Sequence, residues 1–79
     1  MTPAEKRAEK RADEKEAFDN RQRAEAARLN LEEARALVRR GRQDLAASLC
    51  LHTARLYERI GDKLLAKKAR AMAREIARG

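Results

Sequence analysis

Asp44, Ser48 and His52 follow one another at four-residue steps, with Cys50 between the last two. An acid, a hydroxyl and an imidazole are the parts of a nucleophilic triad, in which the carboxylate orients the imidazole and the imidazole takes the hydroxyl proton. On a helix the three share a face, but Asp44 and His52 stand about 12 Å apart along the axis with Ser48 in between. The carboxylate cannot hold the imidazole, so the set reads as a helix-start acid, a small surface hydroxyl and a half-buried histidine. Cys50 and His52 point to different sides of a helix, and one Cys with one His gives too few donors for a zinc site. Cys50 is expected to be a small core residue. The three glycines are scattered, so no phosphate-cradling loop exists. No catalytic activity, metal, cofactor or small-molecule substrate is expected.

The elements that carry these residues are helices. Thr2-Pro3-Ala4-Glu5 is a start signal, with Thr as N-cap, Pro at the first helical position and Glu placed to close a capping box. No Pro or Gly follows until Gly41, so one helix can run from Pro3 to about residue 40. Its first part, residues 1–23, offers Ala4, Ala8, Ala12 and Phe18 among charged side chains. Pairs such as Lys10 with Glu14 and Arg21 with Glu25 put the base before the acid, the weaker order on a helix. This stretch is expected to be a charged arm, either solvated and frayed or helical and pairing with another chain. From residue 24 the character changes. Ala24, Ala27, Leu31, Ala34 and Val38 form one face, with Leu37 beside it.

After Gly41 the chain restarts near Asp44, and Leu45, Leu49, His52, Leu56 and Ile60 form a stripe beside Ala46, Cys50, Ala54 and Tyr57. Gly61-Asp62 makes a second turn. Leu65, Ala69, Met72 and Ile76 then form the inward stripe of a third helix that stops at Gly79. The expected fold is all-α: three antiparallel helices at about 24–40, 44–59 and 63–78, the first extended by the arm.

Ala54, Tyr57, Gly61, Asp62, Ala66 and Ala73 together resemble a tetratricopeptide repeat across about residues 47–79. In that family a small residue lets two helices approach closely, the Tyr fills the space beside it, and Gly-Asp makes the turn. The resemblance implies a tight helical hairpin and a peptide-binding scaffold. Cys50 and Arg70 stand where the family has aromatics, Thr53 where it has Leu, and no closing Pro follows. The Gly41 turn matches more loosely through Ala34, Leu37 and Ala46, only 20 residues from the Gly61 turn where whole repeats lie about 34 apart. The pattern amounts to one repeat plus an extra helix.

Composition bounds the function. The 79 residues carry 20 Lys and Arg against 13 Asp and Glu, a net charge of +7 that favours phosphate, anionic lipid or acidic protein partners. A single Cys50 excludes an internal disulfide. Nothing near Met1 reads as a signal peptide and no apolar run is long enough to span a bilayer, so a cytoplasmic setting is expected. Lys63, Lys67, Arg70, Arg74 and Arg78 make a basic row on the third helix with Lys68 alongside, and Arg39, Arg40 and Arg42 cluster at the first turn. Phe18 and Tyr57 are the only aromatics, so stacking on single strands has no platform. The helix-turn-helix pattern fails at Tyr57 and Lys67, and the third helix has no Trp or Phe to seat it in a membrane.

Two partner classes follow. One is protein, self or another chain, packing on a residual apolar groove around Leu29, Leu31, Leu51 or Leu64, of which Leu51 falls outside the main stripe of its helix, with the basic rows steering approach. The other is nucleic acid, bound nonspecifically through the Arg/Lys face.

Overall fold

The computed structural model describes residues 2–79, which fold as three helices: α1 (Pro3–Arg39), α2 (Gln43–Ile60) and α3 (Lys63–Arg78). The described residues contain no strand. At the start of α1 the Thr2 hydroxyl accepts from the Glu5 amide and the Glu5 carboxylate accepts from the Thr2 amide, each at 3.2 Å. These reciprocal bonds close the capping box, and Pro3 adds no unpaired N–H. Ala, Glu, Lys, Arg and Leu, all strong helix formers, fill the next turns. The helix therefore runs unbroken past residue 23, through what the composition divides into arm and body.

Both turns are built alike, 20 residues apart. The Gly41 amide donates to the Val38 carbonyl (3.0 Å) and the Arg42 amide to that of Leu37 (2.8 Å). At the second turn Gly61 donates to Glu58 (3.0 Å) and Asp62 to Tyr57 (2.9 Å). These paired bonds are the Schellman pattern, which needs a left-handed residue. Gly41 and Gly61 supply it at φ +79° and +87°. Asp62 then caps α3 by accepting from the Leu65 amide at 3.0 Å. Arg42, at the start of α2, makes no side-chain cap; Asp44 lies in the first turn instead.

Two core clusters fix the helix directions. Ala27 of α1 packs with Ala54 and Tyr57 of α2 and with Ala66 and Ala69 of α3. Ala34 packs with Ala46 and Cys50 of α2 and with Ala73 of α3. The end of α1 thus meets the start of α2, and the start of α3 meets the end of α2, so each neighbour in sequence is antiparallel. α2 is the central helix, packed on both α1 and α3.

The inward faces differ from the expected stripes. On α2 the buried residues are Ala46, Cys50, Thr53, Ala54 and Tyr57, while Leu45 and His52 are exposed. Ala24 and Val38 of α1 are also exposed, and the buried residues of α3 are Ala66, Ala69 and Ala73, with Leu65, Met72 and Ile76 half-buried beside them. The reason is distance. Small side chains let helix axes approach closely, and the larger ones are displaced to the flanks of the contact, where Leu31, Leu37, Leu49 and Leu56 close over the clusters. Thr53 fits this inner face because its hydroxyl donates to the Leu49 carbonyl within the same helix (2.7 Å) and so leaves no buried polar atom unpaired.

Candidate interaction surfaces

Asp44, Ser48 and His52 are all exposed on α2, so the imidazole expected to be half-buried faces solvent. Cys50 is fully buried in the second cluster, and burial pushes its thiol above the ordinary range against a smaller opposing pull from Arg35. Its thiolate fraction at neutral pH is thereby lowered, the reverse of what a nucleophile needs. Among the described residues no group of His, Cys, Asp and Glu side chains converges in the manner of metal ligands.

All three helices also carry large apolar side chains on their outer faces. Large apolar side chains stand in solvent while the core is made mainly of alanine: Leu64 is 64% exposed, Phe18 54%, Leu29 49% and Leu51 48%. Leu29 and Phe18 lie eleven residues apart on the side of α1 away from Ala27 and Ala34, and Leu64 lies away from the buried side of α3. Leu51 is seven residues from Glu58, on the same side of α2. Leu31 belongs elsewhere: it is half-buried and packs against both clusters.

No protein-family model, curated protein or solved structure matches the chain.

The basic row is laid out along one flank of α3. Lys63, Lys67, Arg74 and Arg78 are exposed, and Arg70 forms an ion pair with Glu58 of α2. That pair ties the row to the edge of α2 where Leu51 lies. Lys68 is exposed about 100° around the helix from Lys67, off the row. Arg39 and Arg40 end α1, where their charge complements the exposed carbonyls. Arg42 approaches Asp44 at 3.9 Å. On the other side of the molecule a shallow groove of about 260 Å³ opens between α1 and α3, with Val38, Met72 and Ile76 as its apolar floor and Arg35, Arg39 and Glu75 at its rim. The groove was not legible in the chain, because its two walls lie far apart in sequence and meet only through α2.

Farther along α1, Arg28 bridges Glu25 (2.6 Å) and Glu32 (2.9 Å). Its hydrogen bond and then its charge hold the Glu25 carboxyl below the usual range. The arrangement stiffens one exposed face of α1. No helix is long and apolar enough to cross a membrane among the described residues.

Proposed function

We infer that this chain is a small helical interaction and assembly module without catalytic activity, working by helix packing against another protein surface in the cytoplasm. One observation carries the reading: alanines fill the interior while Leu29, Leu51, Leu64 and Phe18 stand in solvent. A chain this short gains limited stability from a core of alanines flanked by half-buried leucines, and burying the exposed leucines against a partner would add what that core lacks. The sequence resemblance of about residues 47–79 to a tetratricopeptide repeat points the same way, since that family presents helix faces to peptides.

The test is association mass. Leu51→Glu, on an exposed position, keeps the helicity by circular dichroism and reduces the sedimenting species to the 9.0 kDa of one chain. Wild type and variant sedimenting at the same mass would overturn the reading.

A second reading has its own observation in the row on α3, where four exposed cations have no ion-pair partner among the described residues. Four phosphate contacts, one for each of these cations, would give a salt slope under which affinity for duplex DNA falls about 150-fold between about 50 and 200 mM salt. Charge reversal at Lys67, Arg70 and Arg74 would then abolish DNA binding while association survives. A titration with no binding at the lower salt removes this reading.

A further inference from the structure

The arm is an unpartnered helix with sorted charges. From Pro3 to Phe18, α1 holds five acids and five bases, and every one of these side chains is exposed. Glu5, Glu9, Asp13 and Glu16, at spacings of four, four and three, fall within about 80° of one another around the helix. Arg7, Arg11 and Lys15 form a separate basic ridge. Each ridge places like charges at four-residue separation, which weakens a helix standing alone. No ion pair relieves them on the arm among the described residues.

Their complement is on α3, and the register agrees. Lys63, Lys67, Arg70 and Arg74 are spaced four, three and four, spanning eleven residue steps as the acid ridge does, about 17 Å in each case. Run antiparallel, Glu16 meets Lys63, Asp13 meets Lys67, Glu9 meets Arg70 and Glu5 meets Arg74, with a mismatch of no more than one residue. The arm cannot reach this row within its own molecule. α3 lies on α2 at the level of the second half of α1, sharing one core cluster with Ala27 and the other with Ala34, and no Gly or Pro between Ala4 and Arg40 lets α1 fold back.

We propose that the acid ridge of the arm docks antiparallel along the basic row of α3 in a second copy of this chain, forming a two-fold dimer with two such seams. The proposal rests on the assembly reading above and names its partner. Lengths support it: the free arm and α3 are each 16 residues long, so two copies laid side by side in opposite directions fill each other's vacant half. Leu51, on the α2 edge beside the row, supplies apolar contact to the same seam.

The test is a charge swap. One variant carries Glu5→Lys, Glu9→Lys, Asp13→Lys and Glu16→Lys; the other carries Lys63→Glu, Lys67→Glu and Arg74→Glu, leaving the Arg70–Glu58 pair intact. Wild type sediments at twice the 9.0 kDa chain mass at low ionic strength and dissociates toward about 1 M salt, where screening reaches about 3 Å. Each variant alone sediments as a single chain, because both of its seams become like-charged. Their equimolar mixture recovers the doubled mass, since in the mixed dimer one seam is native and the other reversed, a rescue that misfolded chains could not give. Variants that stay dimeric alone, or a mixture that stays monomeric, overturn the proposal while leaving Leu51-dependent assembly standing. A wild type of single-chain mass, including one whose row binds duplex DNA instead, overturns both.

Discussion

Gly61 and Cys50 show how little of this structure depends on large side chains. At Gly61 the backbone sits at φ +87° with nothing within 4 Å of where a Cβ would stand. Alanine would meet no clash, and its cost is the left-handed conformation itself, about 1–2 kcal/mol, partly offset by a stiffer unfolded chain. Gly61→Ala is therefore expected to lower the thermal midpoint by roughly 4–8 °C for a domain of this size, and Gly41→Ala, in the same motif, by a similar amount; an unchanged midpoint would contradict the turn geometry. Cys50 gives a pH signature. Its folded-state pKa is raised by burial, so its contribution is intact below the ordinary thiol range of about 8.5. Above that value the unfolded chain releases a proton that the folded chain keeps, and stability falls as pH rises. In chemical denaturation between about pH 8 and 10, the wild type should lose stability more steeply than Cys50→Ala. Parallel slopes would show that the thiol ionises as readily folded as unfolded.

At the scale of the elements, α2 and the arm are opposites. α2 has neighbours on both sides, whereas residues 2–18 of α1 have none and are exposed throughout. Amide hydrogen exchange measured on dilute, monomeric protein should therefore be slowest across Cys50–Tyr57 and fastest across Ala4–Phe18, since local opening costs least where no apolar contact is broken. Uniform protection along α1 would mean that its capping box and propensity alone hold the arm. The elements themselves were legible in the sequence, because Thr2-Pro3-Glu5, Gly41 and Gly61-Asp62 are local signals with local geometry. The inner face of α2 was legible only in part: Cys50 was expected in the core and is buried there. The stripe read from spacing runs through Leu45, Leu49 and His52, but a helix packed between two others is limited by axis separation, and Ala46 and Thr53 fit where leucine cannot. The same preference for small residues left Leu51 and Leu64 outside the core, while Leu31, read both as part of the inward face of α1 and as a partner contact, is half-buried on that inward face and packs against both clusters.

For the whole molecule, the long arm sets the shape. A compact chain of this length has a radius of gyration of about 12 Å, but this one reaches 16.7 Å, with extents of 58 × 19 × 13 Å. The difference comes from α1, whose 37 residues span about 55 Å while the three-helix body occupies only one end of it. A monomer so shaped exposes a helix that buries nothing, and a second copy can cover it in two ways that differ in outline. Arms paired tip to tip, with the bodies at opposite ends, would lengthen the particle well beyond one chain. Arms laid on the opposite body double the mass within nearly the same length, because each body occupies the space beside the other's arm. Small-angle X-ray scattering on the low-salt dimer should therefore give a maximum dimension close to that of a single chain, with a larger cross-section. A dimer much longer than the 58 Å of one molecule would place the contact at the arm tips and exclude the α3 seam.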